Sequence, residues 1–244
     1  MKSTMNPGRC AGLLYVVASI FGVFALLYVP GKLLVDGDAA ATARNIAASE
    51  SLFRLGIAAE LIGQAMFVFV ALALYHLLKD VNPRHALTML TLILVAIPIA
   101  FFNEVNSVAA LTLARGPEFL TAFAQPQRDA LTRLFLNLRG AGFDVAEIFW
   151  ALWLFPLGWL VYRSGFIPRV LGVLLILNGF TYPIDSLAPL LAPHLERTVH
   201  RWTMPFQFGE LIFMFWLVIM GATPKPNSAY LNHEARRLQQ PDQA

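Results

Sequence analysis

Charge is scarce in this chain and cysteine almost absent. Only 14% of its 244 residues are Asp, Glu, Lys or Arg, while 57% are hydrophobic, and the mean hydropathy is +0.61. Soluble domains carry roughly 25% charged residues, so a water-wrapped globule is excluded. Cys10 is the single cysteine, which excludes an intrachain disulfide and leaves the redox compartment unmarked. The net charge of +3 comes from basic residues scattered through short loops, which excludes a basic nucleic-acid-binding face. Motifs are missing as well. There is no HExxH, no Cys/His cluster, no GxSxG elbow, no P-loop and no dinucleotide fingerprint. No metal site and no cofactor is therefore assigned, and the reading leans away from an enzyme. Gly140 and Gly142 read as helix packing or a turn.

What is present is a set of long apolar runs. A helix needs about 20 apolar residues to cross a hydrocarbon core of roughly 30 Å. Six runs qualify: Cys10–Val29, Leu55–Leu78, Ala86–Leu113, Ala141–Tyr162, Val170–Leu191 and Trp202–Gly221. The first follows Lys2 and Arg9 but is too long for a signal-peptide core and reads as a retained span. The backbone must satisfy itself within lipid, so the runs are helices. The fold class is all-α: a polytopic six-helix membrane bundle. Residues 1–222 form the transmembrane domain. Residues 223–244 form a polar, weakly ordered cytoplasmic tail with helical turns around 229–239.

Three features belong to the connections. An Ala-rich stretch after Asp36 and Asp38 suits a short helix, and Pro117 suits the start of another. Beyond Pro126, Leu131, Leu134, Phe135 and Leu138 recur at i, i+3, i+4 and i+7, which predicts a short outer amphipathic helix lying on the headgroups.

Basic residues divide evenly, nine on each side of the membrane. They are denser in the tight loops at Lys79–Arg84 and Arg163–Arg169. That density predicts a multi-pass protein of the inner (plasma) membrane with both termini cytoplasmic.

Six carboxylates lie inside the spans: Glu60, Glu104, Asp144, Glu147, Asp185 and Glu210. All six fall toward the end away from the tight loops, and no Lys or Arg lies within the spans. Placing an acid at a helix centre costs roughly 2.5–3.5 kcal/mol, so such residues face protein or a wet cavity. Polar residues extend each acid along its helix face. Gly56, Glu60 and Gln64 align, as do Asn103, Glu104 and Ser107. Asn178, Tyr182 and Asp185 form a third stripe, and Thr203, Gln207 and Glu210 a fourth. The predicted ligand-binding set is Glu60, Gln64, Asn103, Glu104, Asp144, Glu147, Asp185, Gln207 and Glu210. The competing structural reading pairs the acids with arginines at the helix ends, such as Arg54, Arg139 and Arg201, or with the nearby amides. Pro183 and Pro189 bracket Asp185 and predict a local opening of the fifth span. His194 and His200 read as solvated loop residues. A small-Glu-aliphatic-apolar pattern recurs at Ala59–Ile62, Ala146–Phe149 and Gly209–Ile212; four residues are too few to argue a repeat, and chance is the preferred explanation.

Two longer motifs are more specific. One is Gly37-Asp38-Ala39-Ala40-Ala41-Thr42-Ala43 followed by Glu50-Ser51-Leu52-Phe53-Arg54-Leu55-Gly56-Ile57-Ala58. The other is Tyr162-Arg163-Ser164-Gly165-Phe166-Ile167-Pro168-Arg169-Val170-Leu171-Gly172. Through them the stretch from about Arg9 to Ala222 resembles the bacterial membrane family called domain of unknown function 4386. The resemblance implies a multi-pass bacterial inner-membrane protein and carries no activity, cofactor or catalytic residue.

Three functions follow as expectations. The first is a protein with an outward-opening acidic cavity that binds, or transports, a small cationic, amphiphilic or polar-headgroup ligand, met by carboxylates and rim arginines. The second is a membrane-embedded enzyme using carboxylates at the outer face. The third is a non-catalytic accessory subunit. The partners are then the lipid bilayer and that ligand, not nucleic acid, and no feature sets an oligomeric state.

Overall fold

The computed structural model describes residues 6–224, without the side chains of Pro189, Leu190, Pro193, Glu196 and Gln207. The turns expected around 229–239 lie outside the described residues. Seven helices of ten residues or more stand among those described, with no strand. They are α1 (Pro7–Leu33), α2 (Ala39–Ala48), α3 (Glu50–Leu78), α4 (Pro83–Arg115), α5 (Gln125–Ser164), α6 (Arg169–Leu191) and α7 (Glu196–Met220). All but α2 are long and apolar enough to cross a membrane, which gives the six expected spans.

Local chemistry sets the helix ends. Asn6 accepts the Arg9 N–H ahead of Pro7, and Asn82 accepts the His85 N–H ahead of Pro83. Asp38 caps α2 through the Ala41 N–H at 2.7 Å. Gly116 and Gly165 stop α4 and α5 in the left-handed conformation, which their missing Cβ permits.

The spans pack as a ring, each on its chain neighbours, and α1 closes it against α7. Lipid supplies no hydrophobic drive between helices, so close packing depends on small residues. Where α5 crosses α6, a Cβ on Gly158 would stand 2.7 Å from the Gly172 carbonyl oxygen. Where α1 meets α7, a Cβ on Gly12 would stand 2.8 Å from the Val218 nitrogen, and the Gly8 N–H donates to the Ala222 carbonyl at 2.9 Å. Around these crossings Leu74, Leu77, Met89, Ile93, Leu154, Leu157, Leu160 and Leu217 are fully buried. This is the end of the bundle that carries the tight loops.

The opposite end differs from expectation in three places. The amphipathic stretch after Pro126 is helical, but it is the first half of α5 rather than a separate element. Nothing between Leu138 and Ala141 stops a helix, so it runs on into the fourth span. Its Leu134 and Leu138 are exposed, whereas Asp129 and Thr132 are buried and Arg139 reaches Glu104 on α4. Pro117 begins a single 3-10 turn, Glu118–Leu120, instead of a helix. The α6 backbone stays helical through Pro183 and Asp185, so no opening forms there. Pro98, Pro156 and Pro205 are likewise absorbed within helices.

Candidate functional site

Between α1, α3, α5, α6 and α7 the bundle encloses a cavity of about 560 Å³, in the half away from the tight loops. Pockets of roughly 300–1,000 Å³ are the size that buries a drug-like molecule. The base is aromatic. Tyr15, Phe67 and Trp153 pack edge to face or tilted, with ring centroids 5.3–6.5 Å apart. Phe143 and Trp150 pair at 4.9 Å on the α5 side.

Three carboxylates stand on the wall: Glu60 from α3, Glu147 from α5 and Glu210 from α7. They are the three glutamates of the recurring four-residue pattern. The preceding residue is Ala59, Ala146 or Gly209, and each is buried against neighbouring helices. α3, α5 and α7 run in the same direction, so equivalent positions along them reach similar depths. Each carboxylate has a neutral hydrogen-bond donor. The Gln64 amide donates to Glu60 at 2.9 Å, the Tyr182 hydroxyl to Glu210 at 3.1 Å, and the Ser186 hydroxyl to Glu147. No Lys or Arg stands among the described residues of the wall, and His200 is the one basic side chain there.

The other predicted residues are placed elsewhere. Arg139 Nε lies 2.9 Å from Glu104 Oε1, and both side chains are largely buried. For this acid the structure shows the arginine pairing of the competing reading. Arg139 lies just outside the predicted span, and the length of α5 carries it inward. Asn103 steadies the pair by donating to the Arg139 carbonyl at 2.7 Å, and it fits because Gly142 leaves room for it. Asp185 lies 2.8 Å from His200 Nδ1, so the histidine expected in a solvated loop is on α7 and faces the site. Asp144 lies in the electrostatic surroundings of Glu147 without forming part of the wall. The Gln207 side chain lies outside the described residues. Arg54, offered as a partner for the acids, instead binds Glu50 at 2.7 Å, and Arg115 binds the same carboxylate at 3.0 Å.

Some site residues are absent from the sequence-predicted set. Tyr182 lies on a noted polar stripe, yet an isolated tyrosine in an apolar run carries no signal of its own. Ser186, one turn further along α6, gives even less. Tyr15, Trp150 and Trp153 are indistinguishable from core aromatics until the helices are placed. Two polar atoms at the wall are buried without a partner: Tyr15 Oη and Gln64 Oε1. Leaving such a group unsatisfied costs about 1–3 kcal/mol. Among the described residues, no three His, Cys, Asp or Glu side chains gather as a metal site. The arrangement offers hydrogen-bond acceptors and π faces to a guest.

Comparison with known proteins places the sequence without assigning it a reaction. No solved structure matches it. A protein of Archaeoglobus fulgidus, described as an uncharacterized protein, is 31% identical over 154 residues, covering 63% of this chain and 76% of the relative. The model of the family described as domain of unknown function (DUF4386) matches residues 10–221, and the chain belongs to that family.

Proposed function

We propose that this membrane protein binds a small organic cation in the cavity bounded by Glu60, Glu147 and Glu210. The observation that carries the reading is the pairing of three carboxylates with aromatic faces on a wall whose described residues include no Lys or Arg. A cation gains from both, through charge-assisted hydrogen bonds and cation–π attraction of about 0.5–2 kcal/mol per ring. A phosphate headgroup would meet three acids and no arginine, which argues against a phosphate-bearing polar headgroup. With both termini cytoplasmic, as the basic tight loops favour, the acidic half lies toward the outer face.

The test is thermal unfolding of the detergent-solubilised protein with primary amines and with alcohols of matched shape. Saturating amine should stabilise by about 2.7 kcal/mol at a hundredfold excess over Kd. Glu147→Gln and Glu60→Gln should each blunt the response. Equal stabilisation by the neutral alcohols would overturn the reading.

A further inference from the structure

The cavity is not closed where α1 and α7 diverge. α1 and α7 touch closely at one end only. Gly8 and Gly12 bring the backbones together there, and Arg9 donates to the Ile219 carbonyl at 3.2 Å. Further along, the Ser19 hydroxyl still reaches Met214 Sδ at 3.4 Å. One turn beyond, Gly22 lies on the cavity wall, and a Cβ built there would meet nothing within 4 Å. Leu27 on one side and Met204 on the other also line the cavity, and they are 68% and 50% exposed. In a ring of membrane helices, a gap between neighbouring spans at this depth opens onto acyl chains rather than water.

The α1 backbone changes at this gap. Residues Phe24–Tyr28 form a π turn in which the Val29 N–H bonds the Phe24 carbonyl. Pro30 follows and has no N–H to give Leu26, which disfavours the regular α ladder there. Wide turns of this kind inside membrane helices recur at functional sites. The interior offers a second clue. Tyr15 is 4% exposed, and its hydroxyl has no partner at the wall; Gln64 Oε1 is in the same position. The Gln64 amide nitrogen is committed to Glu60, so its oxygen is left to accept. The Tyr15 hydroxyl can donate or accept, but Gln64 Oε1 only accepts, so a guest that satisfies it needs an N–H or O–H donor, which a quaternary ammonium lacks.

Resting on the proposed cation-binding reading, we infer that the occupant is a phosphate-free amphiphile with a primary ammonium head, seated from the bilayer through the gap between α1 and α7. Its head lies among Glu60, Glu147 and Glu210, and its alkyl tail passes Gly22 and leaves between Leu27 and Met204.

The test uses the full chain in phosphatidylcholine nanodiscs with dodecylamine carrying a diazirine midway along its alkyl chain. After irradiation, the label is mapped by mass spectrometry. Label on Leu27 or Met204, suppressed at least about tenfold by excess dodecylamine but not by dodecanol, dodecyltrimethylammonium or phosphatidylethanolamine, is the expected result. Gly22→Trp should lower that labelling by a similar factor while leaving the melting temperature in place. Tail label on His200, at the water-facing end of the wall, would overturn the lateral seat. Equal competition by phosphatidylethanolamine or by dodecyltrimethylammonium would overturn the stated head chemistry. Absence of saturable labelling, with butylamine still stabilising the protein, would sink this inference alone. Absence of both would sink the cation-binding reading with it.

Discussion

The two halves of the bundle solve the same packing problem in different ways. At the tight-loop end the helices meet through glycine, and Leu, Ile and Met side chains fill the space between them. At the other end the same helices separate around a cavity, and polar contacts replace apolar packing: Arg139 to Glu104, Gln64 to Glu60, Tyr182 to Glu210. α1 shows the contrast within one helix. Gly12 cannot accept a Cβ without displacing the α7 backbone, whereas Gly22 has open space where its Cβ would be. One residue type therefore marks close packing in one half and an opening in the other. A membrane bundle has no hydrophobic drive to close such an opening, so a cavity on one side needs firm packing on the other.

Breaking the ion pair tests the cavity half most severely. Arg139→Met should destabilise by about 3–5 kcal/mol, because it leaves the buried Glu104 carboxyl without its partner. The double variant Arg139→Met/Glu104→Gln should recover most of that, as read from detergent melting curves. Additive losses from Arg139→Met and Glu104→Gln would show that the pair does not act as a unit.

Overfilling the packed half comes next. Gly158→Leu places a side chain against backbone that cannot yield and should cost about 3 kcal/mol or more, seen as loss of the monodisperse peak in size-exclusion chromatography. Normal behaviour would mean that α5 and α6 are not in such close contact.

Glu210→Gln separates stability from binding. The Tyr182 hydroxyl can donate to the amide oxygen instead, so melting should shift by under about 1 kcal/mol, while stabilisation by added amine falls sharply. An unchanged amine response would remove Glu210 from the site.

The smallest effect is expected at Gly22→Ala. With nothing to clash against, the change in stability should stay within about 1 kcal/mol and lean toward stabilisation, from helix propensity alone. The matched Gly12→Ala should be clearly destabilising, and the difference between the two measures how unlike the halves are. Equal losses at both positions would mean that the gap at Gly22 is closed in the membrane.

Much of the fold was legible because its signals are local. A run of about 20 apolar residues spans the bilayer whatever surrounds it. Asn or Asp ahead of a helix, and Gly after it, act within a few residues. The acids at one depth were legible for the same reason, since depth is distance along a helix. The amphipathic stretch was harder to read. Its leucines form a stripe that fits headgroups as well as lipid, and only the tertiary structure buries Asp129 and brings Arg139 to Glu104. His200 is exposed as expected, but it stands on a helix and not in a loop, because α7 begins before its apolar run does.

The sequence by itself determined the number of spans, their order and the fact that six carboxylates fall toward one end of them. Hydrophobicity and length fix these one helix at a time. Only the tertiary structure decided that Glu60, Glu147 and Glu210 share one wall while Glu104 takes Arg139 and Asp185 takes His200. A helix in lipid is apolar on its protein side and on its lipid side alike, so the pattern leaves its rotation open. That rotation is set by which small residues meet across each crossing, and it decides whether an acid faces a cavity, an arginine or a histidine.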